Sequence, residues 1–263
     1  MKPFKKEFIV AEHDLRLHRV VHVSASGQVL HEFHIEYPLD LQMLSGGGIL
    51  LSANNAIVEL DQDFKEIWRY THPRLGLFSC EKMLNGNVLT GDFAKAEIRE
   101  IDLNGKTVRF FDFPLASSPQ DYLYAFRLLR LKANGNVLIA AHGAKKLLEC
   151  DWLGRIVHQV DLPGTPYMPL ILPDGSTMVS LGSSGLIVQI NTKDEIVWQY
   201  DMVADSRLER GWIAGISVLH NGNIVYSDST YDRLVEINAA KELVAIYQDR
   251  NILLHPSTHI IME

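Results

Sequence analysis

The segment NGNVLTGDFAKAEIREIDLNG, residues 85–105, decides the fold of this chain. It opens on the turn Asn85-Gly86 and closes on the turn Asn104-Gly105, with two short apolar runs between them. Asn-Gly between apolar runs is a strong hairpin signal, because both central residues of such a turn need a positive φ. The segment therefore predicts two short antiparallel strands with a hairpin turn at each end.

The same pattern recurs along the chain. The turn Asn85-Gly86-Asn87 reappears, in identical or related form, at residues 46–48, 134–136, 174–176 and 221–223. In four of the five copies, a residue on the third strand follows the turn glycine at a spacing of 15, as Ile101 follows Gly86. Such self-similarity predicts a repeat of about 40 to 50 residues.

Each repeat has room for four short strands, and four antiparallel strands per repeat are typical of a β-propeller blade. In the third repeat we predict strands at Ser79–Leu84, Asn87–Phe93, Glu97–Ile101 and Thr107–Phe113. The N-terminal stretch offers three strands, and the C-terminal stretch Leu254–Met262 offers one; joined, they complete a sixth blade and remove free sheet edges. We expect an all-β fold, a six-bladed β-propeller with four antiparallel strands per blade, as one domain over residues 1–263.

Composition narrows the classes of function. The formal net charge of −7 argues against a nucleic-acid partner. We find no apolar run long enough to span a membrane and no signal peptide, so we place the protein in the cytoplasm or, if a leader has been removed, in the periplasm or outside the cell. Two cysteines, Cys80 and Cys150, cannot build a disulfide framework, and we expect two buried free thiols.

A second repeated element follows the third strand of each unit. It has the form Asp-x-x-Gly-x-x-x-Trp, and its fragments are Asp61…Trp68, Asp102-Leu103-Asn104-Gly105, Asp151-Trp152-Leu153-Gly154 and Asn191…Trp198. Together with the Asn-Gly-Asn turn, it resembles the PQQ-like (quinoprotein-type) propeller repeat and is similar to the repeats of bacterial arylsulfotransferases. The Trp position holds Trp68 and Trp198, whereas Arg109, His158, Ala245 and His31 replace Trp elsewhere. The resemblance implies the blade, and we do not expect the PQQ cofactor.

A shorter segment resembles a different propeller family. Tyr226-Ser227-Asp228-Ser229 is similar to a segment of the six-bladed metal-dependent lactonases, in which the Asp ligates calcium. The resemblance implies Asp228 as a metal ligand, so a divalent metal stays an open alternative for the cofactor.

Candidate site residues follow from the repeat register. The second strands end at His13-Asp14, Asn54, Asp92, His142, Leu181 and Asp228, and the loops that follow them converge on one face of a propeller, where ligands bind. The segments that lead into the blades are rich in aromatic and basic residues. From them we predict five ligand-binding residues: Tyr124, Arg127, Tyr167, Arg210 and Trp212.

Two classes of function are consistent with these residues. The first is a ligand-binding or interaction propeller that takes a small molecule, a sugar or a peptide at the mouth of the central channel. The second is a metal- or His-dependent hydrolase, lyase or transferase, lactonase-like or arylsulfotransferase-like, with the candidates His13, Asp92, His142, Asp228 and His255. The enzyme hypothesis requires at least three of these side chains within about 5 Å of one point. The simpler alternative is that Asp and His end strands by bonding the next turn.

A row of glutamates, Glu59, Glu100, Glu149 and Glu236, falls on the third strands. Because charges on exposed strand faces are common, we predict that this row makes hydrogen bonds at the surface or between blades and does not act in catalysis.

Overall fold

The computed structural model describes residues 2–14, 16–74, 76–115 and 125–263. The chain is a six-bladed β-propeller whose blades are four-stranded antiparallel sheets, as the repeats predict. The second strand of most blades is buried along its whole length, and the fourth strand alternates between exposed and partly buried residues. The core therefore lies at the inner and middle strands, and the outer strands face solvent.

The strands follow the predicted repeats closely. Those of the first two blades are β1 (Lys2–Pro3), β2 (Glu7–Glu12), β3 (Arg19–Val23), β4 (Val29–His34), β5 (Asp40–Met43), β6 (Ile49–Ala53), β7 (Ala56–Leu60) and β8 (Glu66–Thr71). The third and fourth blades contain β9 (Leu77–Lys82), β10 (Val88–Asp92), β11 (Glu97–Ile101), β12 (Thr107–Asp112), β13 (Leu129–Leu131), β14 (Val137–Ala141), β15 (Lys146–Cys150) and β16 (Ile156–Asp161). The remaining strands are β17 (Met168–Ile171), β18 (Thr177–Ser180), β19 (Leu186–Ile190), β20 (Ile196–Asp201), β21 (Ile213–Val218), β22 (Ile224–Asp228), β23 (Arg233–Ile237), β24 (Leu243–Tyr247) and β25 (Pro256–Met262).

The first blade is closed by the two ends of the chain. Its sheet has the order β25-β2-β3-β4, and β25 pairs with β2 from Glu7 opposite Met262 to Glu12 opposite Pro256. The short strand β1, which we did not predict, pairs in parallel with β24 as a fifth strand of the sixth blade. Phe4 follows β1 and contacts Phe8 and Tyr247 edge-on, at ring-centroid distances of 5.9 and 6.1 Å. The N-terminal segment thus covers an outer edge that is otherwise open.

The constant spacing of 15 residues has a structural cause. Glu149 on β15 accepts hydrogen bonds from the side-chain amides of Asn134 and Asn136 at 2.8 and 2.6 Å, so it fixes the turn between the first two strands. Glu100 accepts the same pair of bonds in the third blade. These two glutamates make hydrogen bonds, but they are buried and bond the turn of their own blade, so the predicted location at the surface or between blades is wrong for them.

Tryptophan side chains join consecutive blades. The Trp68 Nε1 donates to the carbonyl of Leu103 at 2.8 Å, and Trp198 Nε1 donates to the carbonyl of Ala239 at 3.0 Å. In the third blade, Arg109 replaces the tryptophan, and its guanidinium lies 3.8 Å from the ring centroid of Trp152. The replacement therefore preserves a contact between blades, now as a cation–π pair.

The chain forms two compact units, residues 1–39 with 172–263, and residues 40–171. Both cysteines are free and buried, as predicted, and burial raises the pKa of the Cys150 thiol to about 12. In the part of the chain that the structure describes, no helix is long and apolar enough to cross a membrane.

Candidate functional sites

In the unit formed by residues 1–39 and 172–263, two predicted histidines lie together. His13 follows β2, His255 precedes β25, and their imidazole rings stack with centroids 5.8 Å apart and planes 25° apart. The carboxylate of Asp14 lies 3.3 Å from Nδ1 of His255. We call His13, Asp14 and His255 the histidine site. It lies where the second strand of the first blade ends.

The two imidazoles have different environments. Burial lowers the pKa of His13 to about 4, with a further contribution from the neighbouring His255, so His13 is neutral near pH 7. Its Nδ1 is buried and has no hydrogen-bond partner among the described residues. The side chain of His255 is half exposed. With its Nδ1 buried, a neutral His13 can present only its other ring nitrogen, as a donor or as an acceptor, beside the carboxylate of Asp14.

The backbone holds His255 in an unusual conformation. Its φ is +44°, a left-handed value that non-glycine residues rarely adopt. The N–H of His255 donates to Oδ1 of Asp232 at 3.0 Å, and its carbonyl accepts from His13 N at 3.4 Å. Such strain persists where surrounding contacts fix the residue, and it is concentrated at functional sites.

Asp228, the residue that the lactonase resemblance implies as a metal ligand, forms an ion pair with Arg233. Its Oδ2 accepts from Nε of Arg233 at 2.8 Å, and the carboxylate is fully buried. Burial raises the pKa of Asp228, and Arg233 opposes that rise. A Cβ on Gly211 would lie 2.2 Å from the Asp228 carboxylate, so glycine is required there. Among the described residues, no three His, Cys, Asp or Glu side chains are placed to hold a metal ion.

Arg210 and Trp212 are part of the same unit but not of the histidine site as defined. Arg210 donates to the carbonyl of Ser184, and its guanidinium lies 3.6 Å from Asp201. The backbone N–H of Trp212 donates to the hydroxyl of Thr230 at 3.0 Å. These contacts fix the segment that leads into the sixth blade.

In the unit formed by residues 40–171, Asp92 is part of an ion-pair network. Its Oδ2 lies 3.0 Å from a guanidinium nitrogen of Arg99 and 3.2 Å from Nε2 of His72. Asp92 and His72 are both buried. The network joins β10 to β11 and to the segment after β8.

Three more predicted residues come together in this unit. Nδ1 of His142 lies 3.0 Å from the carbonyl of Pro166, and the carbonyl of Tyr167 accepts from Leu128 N. The guanidinium of Arg127 lies 5.6 Å from the ring centroid of Phe93. Burial and the charge of Arg127 lower the pKa of His142. Tyr124, the fifth predicted ligand-binding residue, lies outside the described residues.

Sequence reasoning missed a charged cluster on the first strands of three consecutive blades. Asp40 on β5 receives two hydrogen bonds from the Arg130 guanidinium on β13, at 2.8 and 2.9 Å, and a third from the Ser79 hydroxyl on β9. Glu81 accepts from the N–H of Leu131 at 2.8 Å, and burial raises its pKa. Single charges between apolar residues, such as Arg130 between Leu129 and Leu131, were the available signal.

No protein-family model matches the sequence, and no curated protein matches it significantly. Among solved structures, a protein of unknown function from Bacteroides caccae is 19% identical, has a TM-score of 0.81, and covers 98% of this chain and 99% of its own. A streptogramin B lyase is 16% identical with a TM-score of 0.66, covering 94% and 84%. A catalytically inactive histidine-to-alanine variant of virginiamycin B lyase from Staphylococcus aureus, solved with quinupristin, is 14% identical with a TM-score of 0.62, covering 84% and 73%. These similarities show the propeller fold alone.

Proposed function

We propose that the protein binds a small hydroxyl-bearing molecule, such as a sugar, at the histidine site. The observation that supports this is the stacked pair of imidazoles 5.8 Å apart. His13 is neutral near pH 7, and the ring nitrogen other than its buried Nδ1 can serve as a donor or as an acceptor, according to the tautomer. Asp14 adds a carboxylate acceptor beside the half-exposed His255. Hydroxyl groups both donate and accept, so they match this mixed set of partners better than a purely anionic or cationic ligand does.

The test is a binding screen of monosaccharides and aryl anions by calorimetry on the wild-type protein and on His255→Asn. Asparagine tolerates the left-handed backbone that position 255 requires, so the variant removes the imidazole without forcing a new backbone. The matched control is His34→Asn, because His34 lies on the outer strand β4 and is exposed. We expect a sugar to bind the wild type and the control, and to bind His255→Asn at least about tenfold more weakly.

Two results would count against this function. One is equal affinity in the wild type and His255→Asn, which would place the ligand elsewhere. The other is binding of aryl anions with no sugar binding, which would exclude the proposed ligand class.

A second candidate function is a His-dependent lyase or hydrolase, and the Asp14–His255 pair favours it. A carboxylate on one ring nitrogen orients an imidazole so that the other nitrogen can exchange a proton with a substrate. Three structural neighbours are named as lyases, and one of these is a catalytically inactive histidine-to-alanine variant. The test is consumption of quinupristin, followed by chromatography. Turnover by the wild type that is lost in both Asp14→Asn and His255→Asn would support the lyase; no turnover would count against it.

A further inference from the structure

A cleft of about 460 Å³ opens beside the turn between β5 and β6, in the unit formed by residues 40–171. Gly46 and Gly48 of this turn form part of one wall, and Glu59 and Lys82 are part of the lining. The volume is within the range of small-molecule sites, about 300 to 1,000 Å³. The cleft is separate from the histidine site, whose residues belong to the other unit.

In other blades, hydrogen bonds join the turn to the third strand at the equivalent place. Glu100 and Glu149 each accept two bonds from asparagine amides of the turn, and Glu236 accepts one from Asn223 at 2.7 Å. In the fifth blade, Gln189 donates to the Ser176 hydroxyl of the turn at 2.9 Å. A bond between the turn and the third strand is therefore the general arrangement.

The second blade has glycines where the other turns carry these donors. Glu59 occupies the position of Glu100, since Leu50 pairs with Glu59 as Leu89 pairs with Glu100. The turn residues opposite Glu59 are glycines and carry no amide side chain. A Cβ at position 48 would lie 2.3 Å from the carbonyl oxygen of Leu60, so this turn cannot take the second asparagine without moving. The asparagine amides that donate to the equivalent glutamate in the third and fourth blades are absent here, and the cleft lies in their place.

The charged side chains that line the cleft indicate which class of ligand it binds. Glu59 Oε2 accepts from Lys82 Nζ at 2.8 Å. The lining also contains the carboxylates of Asp61 and Asp63, and Lys82 is the one cation among the described residues that line the cleft. Asp63 also lies 3.8 Å from the ammonium of Lys65, so three carboxylates stand against two ammoniums, and the remaining negative charge favours a positively charged ligand. A guanidinium presents several N–H donors in one plane and pairs strongly with a carboxylate.

We infer that the cleft binds a small cationic molecule that carries a guanidinium or primary amine, whose N–H groups take the place of the two missing asparagine amides at Glu59. The inference rests on the comparison of blades and on the cleft, and it is independent of the function proposed for the histidine site.

The probe is argininamide, titrated into the ¹⁵N-labelled full chain. We expect saturable shifts of the backbone amides of Gly46 and Gly48, which line the cleft. The deciding variant is Gly46→Asn. A side chain at position 46 meets no atom within 4 Å of its Cβ, and its amide would then occupy the place of Asn85 in the third blade. We expect affinity for argininamide to fall at least about tenfold in this variant.

The matched control is Gly46→Ala, which adds a side chain without an amide and should bind within about twofold of the wild type. If Gly46→Asn does not fold, Glu59→Gln decides, because it removes the charge and should also weaken binding at least about tenfold. No saturable shift in the wild type, or wild-type affinity in Gly46→Asn or in Glu59→Gln, would overturn the inference.

Discussion

One buried histidine, His259, shows that the core of this fold can hold an ionisable side chain in its neutral form. His259 on β25 is buried, and its Nδ1 lies 2.7 Å from the hydroxyl of Ser227. Burial lowers its pKa to about 3. First strands of other blades place Leu41 and Cys80 at the equivalent register. His259 therefore occupies a core position that Leu41 and Cys80 fill in other blades, and its imidazole is neutral near pH 7 in the folded chain.

This neutrality predicts a pH dependence of stability. The folded pKa of His259, about 3, lies below the ordinary value of 6.5. As the pH falls below 6.5, the unfolded chain takes up a proton that the folded chain refuses, so the free energy of unfolding decreases until the folded pKa is reached. One such histidine adds a slope of at most about 1.4 kcal/mol per pH unit. Urea unfolding of His259→Leu between about pH 7 and about pH 4 should show a shallower slope than the wild type.

The control for this measurement is His34→Leu, which removes an exposed histidine and should keep the wild-type slope. Identical slopes in the wild type and His259→Leu would mean that His259 is protonated in the folded chain as readily as in the unfolded one.

The hydrogen bonds between the first turn of a blade and its third strand explain why the spacing of 15 residues recurs in the sequence. Glu149 accepts from Asn134, Asn136 and Lys132. Burial alone would raise its pKa, but these bonds lower it to about 2. The spacing of 15 residues was visible in the sequence. The sequence analysis assigned this glutamate to hydrogen bonds at the surface or between blades, whereas Glu149 is buried and bonds the turn of its own blade.

We predict that Glu149→Ala lowers the free energy of unfolding by about 2 kcal/mol, because it removes charge-assisted bonds from a buried carboxylate. Gln189→Ala, which removes the single neutral bond to Ser176 in the fifth blade, should cost about 1 kcal/mol or less. Chemical unfolding of the two variants compares them directly. An equal loss in both would show that charge adds nothing to this contact.

The strand β1 shows what element-level patterns cannot predict. It has only two residues and pairs in parallel with β24. Because it is so short and is not part of a hairpin, neither an alternating apolar pattern nor a turn signal predicts it. Its place follows from Phe4, which packs on Phe8 and Tyr247. Position 245 on β24, where the repeat otherwise places tryptophan or a polar residue, is Ala245, and Lys2 is its pairing partner.

For the whole molecule, the sequence predicts the six blades and their closure because both depend on local turns and on fixed spacing. The sites depend on which side chains meet across strands, and spacing alone cannot show that. Asp92 and Asp228 were predicted as pocket residues from their positions, yet Arg99 and Arg233 on the next strand pair with them. His13 and His255 were both named, but their stacking requires the closure of the first blade by β25.

The central claim is that closure of the first blade creates a histidine site with one neutral and one half-exposed imidazole. It is tested most directly by an NMR titration of the ring protons of all 11 histidines, in the wild type and in His255→Asn. We predict that His13 titrates with a pKa of about 4, and that this pKa rises in His255→Asn, since the charge of His255 lowers it. A His13 pKa near 6.5 that does not change when His255 is replaced would contradict the claim.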